Sequence, residues 1–247
     1  MALREELERS GVWLFRWRGY LPLILFIPVL AGLSDATAAS PGSRDDVVWE
    51  VFCLAIGLIG LAIRIATVGR APGGTSGRCT LGGPQASALN TTGTYSVVRH
   101  PLYLGNYFQW LGVAMLPRNP WVAITVSLVF WIYYERIMFA EEEYLRRTFG
   151  AEFEQWASRT PAFIPDFAHW IPAALPFCWR TAVRRENSGM FAFVAAITFV
   201  GLVQDVVIAR RFVPDPFWSA TFAMGALTYL TLLLVGRRTS LLRVPGR

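Results

Sequence analysis

Two clusters of charged residues in this chain have the types and spacing that chemistry would need, and both border apolar segments. The first lies in "TTGTYSVVRHPLYLGN", Thr91 to Asn106, where Arg99 and His100, one of only two histidines, precede Pro101 and an apolar run. Proline suits the first turn of a helix, where a missing N–H costs nothing, so a helix is predicted from Pro101 with His100 near its N-cap. The unpaired N–H groups of that helix start, with the two cationic side chains, make a site for an anion. His100, Tyr103 and Tyr107 share one face by their spacing, and Gly105 lets a group approach the backbone closely. Taken alone, the motif is better explained as a capped helix whose Arg and His bind lipid phosphate. The second cluster, Glu141 to Glu143, is on its own better explained as a solvated helix start, where the dipole favours acids.

The elements that carry these clusters are apolar. Of the 247 residues, 54% are hydrophobic and 16% charged, and the mean hydropathy is +0.40, too apolar for an ordinary soluble domain. Spans need about 20 mostly apolar residues. Six candidates follow: 20–34, 47–68, 101–116, 121–139, 191–209 and 217–235. The fold class expected is all-α, a polytopic integral membrane helical bundle of about six transmembrane helices. Trp13, Trp17 and Tyr20 suit the interface, Arg16 and Arg18 can snorkel to head groups, and Arg64 lies close enough to its span's end to reach water.

All 23 cationic side chains are arginine, and their distribution sets the orientation. With the N-terminus inside, cytoplasmic segments hold seventeen: four before the first span, three in 69–100, six in 141–190 and four in the tail. The outer loops hold four, Arg44, Arg118, Arg210 and Arg211, so the positive-inside rule puts both termini in the cytoplasm. The arginines form no basic domain, and nucleic acid is not an expected partner; the net charge of +6 belongs to topology. Cys53, Cys79 and Cys178 show no paired spacing, which supports neither a disulfide framework nor a metal site. The opening "MALREELERSG" reads as a charged helix rather than a signal peptide. His169 reads as an interfacial side chain. Asp205, an acid inside the fifth span, is expected to pair with Arg210 or Arg211.

The predicted hairpin joins the two clusters. The third span runs outward, "PRNP" turns the chain, and the fourth returns Glu141, Glu142 and Glu143 to the membrane face where Pro101 begins. An anion site beside a carboxylate cluster matches a zwitterionic ligand with hydroxyls. S-adenosyl-L-methionine is such a ligand: its carboxylate suits the helix start, and its ammonium and ribose diol suit glutamates.

"TTGTYSVVRHPLYLGN" resembles the signature of the membrane methyltransferases that include isoprenylcysteine carboxyl methyltransferases and phospholipid N-methyltransferases, with Gly93, Tyr95, Arg99, His100, Pro101, Tyr103 and Gly105 at pattern positions. "EEEYLRRTFGAEFEQWASRTPAFIP" resembles the family's second motif and puts its glutamate pair on Glu141 and Glu142, leaving Glu143 as a surface acid. The resemblance covers about residues 47–166. It implies a cytoplasmic-face cofactor site holding S-adenosyl-L-methionine through Tyr95, His100, Pro101, Tyr103, Leu104, Gly105, Asn106, Glu141 and Glu142, and a lipid-like acceptor that enters from the bilayer. Arg99, Arg136 and Glu142 are the expected catalytic residues, with no metal.

The expected division of the chain is an N-terminal segment and first span (1–46), a methyltransferase core (47–175), and a C-terminal transmembrane hairpin with a basic tail (176–247). The expected reaction is methylation of the head group of a membrane lipid or lipid-modified substrate, at a carboxylate or phosphate oxygen in preference to an amine. The expected location is the bacterial inner membrane. Two alternatives stay open. One is an NADPH-dependent sterol-type membrane reductase, a class that tends to carry Asn after its RHP motif and an acid after the Gly, where this chain has Leu102 and Asn106. The other is a non-enzymatic membrane protein that reuses the fold.

Overall fold

A computed structural model describes residues 2–33, 43–74, 86–209 and 215–246. Cys79, Arg210 and Arg211 lie outside these segments, and with them the expected partners of Asp205. The described residues form eight α-helices and no strand. These are α1 (Leu3–Arg16), α2 (Phe26–Gly32), α3 (Arg44–Val68), α4 (Pro101–Met115), α5 (Pro120–Phe149), α6 (Ala151–Ala157), α7 (Trp179–Ala209) and α8 (Pro216–Arg238).

Local chemistry sets the ends of these helices. Asn119 and Asp215 cap α5 and α8 by accepting from the N–H of Trp121 and Phe217, with Pro120 and Pro216 as first helical residues. α5 ends where Gly150 takes a φ of 53°, a conformation side chains disfavour. The residues after the fourth candidate span therefore continue the same helix as far as Phe149, and 30 residues make a helix about 45 Å long.

By length and composition, α3, α5, α7 and α8 can cross a membrane. The N-terminal pair, Leu3–Arg16 and Leu21–Gly32, makes a fifth if counted as one span, bent by 91° at "WRGY". The third candidate, 101–116, forms α4, which has only 15 residues, about 22 Å, because Pro101 starts it and Pro117 follows its end. Even so, α4 runs antiparallel to α3. Arg64 Nη1 lies 3.4 Å from the Leu102 carbonyl at one end, and Trp49 Nε1 donates to the Met115 carbonyl at the other, 3.1 Å.

The two helices meet through glycine. A Cβ on Gly60 would strike the Gly105 carbonyl, and one on Gly112 would fall 3.0 Å from the Gly57 nitrogen. Lipid tails are as apolar as leucine, so close packing of this kind, more than exclusion of water, must hold such helices together. The buried core, including Phe15, Val29, Val113, Phe130, Ile137, Ile197 and Trp218, joins segments from every part of the chain. Leu58, Ile59, Leu128, Ile132, Leu227 and Leu230 face outward.

α1 lies along the far half of α5. Tyr133 Oη donates to the Leu14 carbonyl, and Gly11 abuts the Arg136 carbonyl. Glu143, expected on the surface, is 1% exposed and accepts from Arg4 Nε at 3.2 Å and from Arg146. It was misplaced because a helix surface gives no sign in sequence of the second helix that covers it. We expect Glu143→Ala to destabilise the fold by about 1.5–3 kcal/mol, as for a lost charged hydrogen bond. Thermal unfolding in detergent measures this; an unchanged midpoint would mean that Glu143 does not anchor α1.

Candidate functional site

Residues 93–100 form no long helix, so their backbone groups need partners elsewhere. A proline-rich strap after α6 supplies them. The N–H groups of Arg99 and His100 donate to the carbonyls of Pro161 and Ala162, at 2.9 and 3.2 Å. Asp166 N–H donates to the Val97 carbonyl, and Gly93 N–H, at a φ of 62°, donates to the Ile171 carbonyl, each at 2.9 Å. Trp156 Nε1 donates to the Tyr95 carbonyl at 2.9 Å. His100 is thereby fixed as the N-cap residue of α4, with Pro101 at the first helical position.

The hairpin of α4 and α5 brings the two charged clusters together. His100 Nε2 lies 2.9 Å from Glu142 Oε1, and His100 Nδ1 lies 3.6 Å from Glu141 Oε2. Arg99 Nη1 lies 3.2 Å from Glu142 Oε2, so Glu142 holds both cationic side chains. The imidazole is 6% exposed and stacks on Tyr103, with ring centroids 5.7 Å apart. Burial alone would pull the His100 pKa down. Hydrogen bonds that the ring donates to Glu141 and Glu142, and the charges of those carboxylates, outweigh it and hold the imidazole above its usual value, which favours the imidazolium.

Beside this cluster opens a cavity of about 670 Å³, within the size range of small-molecule sites. Tyr95, Arg99, His100, Pro101, Tyr103, Asn106 and Glu141 line it. Glu142 stands behind His100 and Arg99. Leu104 packs with Val97 and Val98 in a small apolar cluster, and the open backbone at Gly105 is used by Gly60 and Arg64 of α3. Arg136 is not brought to the cavity. Its Nη1 lies 3.3 Å from Ser10 Oγ, on the face of α5 that packs against α1. The i, i+5 offset to Glu141 turns the two side chains to different faces. His169 is exposed and pairs with Asp166 Oδ2 at 2.8 Å, consistent with an interfacial place.

Sequence reasoning missed the far wall of the cavity, which comes from Arg18, Arg64 and Tyr134 and from Arg184 to Gly189 of α7. Arg64, expected to reach water, is instead bound in fork geometry to the buried Glu186, with Nε to Oε2 at 2.7 Å and Nη2 to Oε1 at 3.0 Å. Its Nη1 donates to Asn106 Oδ1 at 2.6 Å, and Asn106 Nδ2 donates to Tyr134 Oη at 3.1 Å. A signal was present: a charge inside an apolar run marks a functional or paired group.

With the geometry in place, the chain can be set beside known proteins. Residues 51–152 match the phospholipid methyltransferase family. The nickel-cobalt-cadmium resistance protein NccN of Alcaligenes xylosoxydans xylosoxydans is 35% identical over 160 residues, covering 64% of this chain and 65% of that protein. The cobalt-zinc-cadmium resistance protein CzcN of Cupriavidus metallidurans is 35% identical over 126 residues, covering 50% of this chain and 54% of that protein. The protein-S-isoprenylcysteine O-methyltransferase of Schizosaccharomyces pombe is 39% identical over 77 residues, covering 31% of this chain and 33% of that enzyme. The chain thus spans less than two thirds of the length of each of these relatives. No solved structure matches it. The matched segment runs from α3 through the RHP loop and the hairpin to the glutamates, and it is this segment that is similar to the phospholipid methyltransferases and the isoprenylcysteine O-methyltransferases.

Proposed function

We propose that the protein is an S-adenosyl-L-methionine-dependent integral membrane methyltransferase that methylates the head group of a lipid or lipid-modified substrate. The observation that carries this reading is one cluster at the edge of one cavity: Arg99 and His100 at a helix start, held by Glu142, with Glu141 in the cavity wall.

The donor set suits the cofactor. The start of α4, with Arg99 and His100, receives a carboxylate, and the Nε of Arg99 is buried with no hydrogen-bond partner among the described residues. Glu141 meets an ammonium or ribose hydroxyls, and Tyr95 and Tyr103 offer aromatic surface. When bound, S-adenosyl-L-methionine supplies an electrophilic methyl group on a sulfonium. The chain's own part is to align the acceptor and exclude water, and such positioning accelerates transfer greatly. Glu142 is a positioning residue that fixes Arg99 and the imidazolium of His100.

A carboxylate or phosphate oxygen is the favoured acceptor, since an oxyanion needs no base. An amine acceptor would first have to give its proton to a carboxylate such as Glu141. The site faces the cytoplasm in this reading, with both termini on that side and the bacterial inner membrane as the location, because cytoplasmic segments carry seventeen arginines against four outside.

We expect His100→Ala and Glu142→Ala each to weaken adenosylmethionine binding by roughly tenfold to a hundredfold, the equivalent of about 1.5–3 kcal/mol for a hydrogen bond to a charged group. Isothermal titration of folded protein in detergent reads this. Unchanged affinity in both variants, or tighter binding of NADPH than of adenosylmethionine, would remove the cofactor assignment. Incubating the purified protein with methyl-labelled adenosylmethionine and total membrane lipid should put label into a base-labile ester; label in a stable methylamine would overturn the oxyanion preference. A periplasm-active reporter fused after Arg247 should stay silent, and a strong signal would reverse the orientation.

A further inference from the structure

A second cavity, of about 590 Å³, opens at the elbow where α6 gives way to the strap. Of its lining residues, Arg99 alone is shared with the larger cavity. Its wall is polar over Ser158, Arg159 and Thr160 and apolar at Ile164 and Pro165. The negative groups nearby are already engaged. The Glu154, Gln155 and Trp156 carbonyls that end α6 accept from residues 158–160 at 3.0 to 3.2 Å. Asp166, the acid of the wall, is held by His169 Nδ1 at 2.8 Å and by the Ala168 N–H at 2.9 Å. Arg159 is exposed and donates through Nε to the Gln155 carbonyl, while its two Nη groups have no partner among the described residues. Arg99 is paired with Glu142, so the charge this cavity offers a ligand is that of Arg159.

Phe163 ties the cavity to the bilayer. Its neighbours Pro161 and Ala162 accept from Arg99 and His100, but its ring packs edge-on against Trp131 of α5 and Tyr107 of α4, with centroids 5.4 and 5.9 Å away. Trp131 lies about 15 Å before Glu141 along α5, and Tyr107 about 9 Å beyond Pro101 along α4. The strap therefore dips past the start of α4 toward hydrocarbon depth. Irregular backbone is tolerated there where its polar groups are satisfied, as the loop at 97–100 does for Pro161, Ala162 and Asp166. Trp131 is half-exposed between Leu128 and Ile132, which face outward on this spanning helix. Ile164, next to Phe163 and in the cavity wall, is 80% exposed, so an apolar surface runs from α5 to the edge of the polar wall.

We propose that this elbow cavity binds the anionic head group of a bilayer phospholipid, at a site separate from the larger cavity. The phosphate meets the fork of Arg159, and the acyl chains run over Ile164 and the outward face of α5. A guanidinium fork engages two phosphate oxygens at once, and cationic pockets at the membrane surface select acidic lipids. A phospholipid is the fitting occupant because the apolar half of the surface lies on a membrane-spanning helix, where lipid is already the neighbour.

Native mass spectrometry of the full chain in detergent tests this with three probes: dioleoyl phosphatidylglycerol, dioleoyl phosphatidylcholine and water-soluble glycerol phosphate. Wild type should hold phosphatidylglycerol in preference to the other two. R159Q should weaken that binding by about tenfold, as for a lost charged hydrogen bond, with the thermal midpoint unmoved. R237Q/R238Q, at exposed arginines of α8 outside this cavity, should bind as wild type does. Equal loss in both variants, or full retention in R159Q, would overturn the site. Phosphatidylcholine bound as tightly as phosphatidylglycerol would overturn the choice of an anionic head group, and glycerol phosphate bound as tightly would overturn the bilayer as its source. In nanodiscs, phosphatidylglycerol with a photoreactive acyl chain should crosslink to residues 163–165 or 128–132; crosslinks confined to other helices would place the lipid elsewhere and sink the proposal.

Discussion

Every buried backbone N–H and C=O needs a partner, and in the stretch before Pro101 no long helix supplies one. That constraint organises the rest of the site. Residues 93–100 borrow their partners from the strap at 161–171, and the strap is delivered there by α5 and α6. The same helix that carries the glutamates therefore carries the segment that holds the histidine they face. Arg99 and His100 are fixed from two directions, through their backbone by the strap and through their side chains by Glu142. The prolines at 161 and 165 keep the strap from forming a long helix, so the carbonyls of Pro161, Ala162 and Ile171 stay available to the loop.

The clusters were legible in the sequence because local signals encode them. Pro101 announces a helix start, "PRNP" announces the hairpin, and together they put His100 and Glu142 on one membrane face. The strap, α7 and the buried Glu143 were less legible, because their partners lie far along the chain. Arg64 meets Glu186 across 122 residues, and Glu143 meets Arg4 across 139. Arg136 illustrates the opposite case. It lies close in sequence to the glutamates, yet helical geometry sends it to the α1 face, where it meets Ser10. The shortness of α4 was hidden for a related reason. The length of α4 is set by prolines and by its glycine contacts with α3, not by the thickness an apolar run suggests.

The pairing of Arg64 with Glu186 also bears on how the chain is made. Arg64 lies in α3, four residues from its end, and reaches the membrane early in synthesis. Its carboxylate partner is translated 122 residues later. A charged side chain in a helix entering the bilayer costs about 2.5–3.5 kcal/mol at the centre and less near the end. Until α7 arrives, then, the growing chain carries this charge without its counter-ion, relieved by Asn106 and the Leu102 carbonyl of α4, by its position near the helix end and by water at the interface. The final third of the chain is therefore the counter-ion on which biogenesis of the core waits, and a ribosome halted before Glu186 leaves a membrane intermediate with an unneutralised arginine.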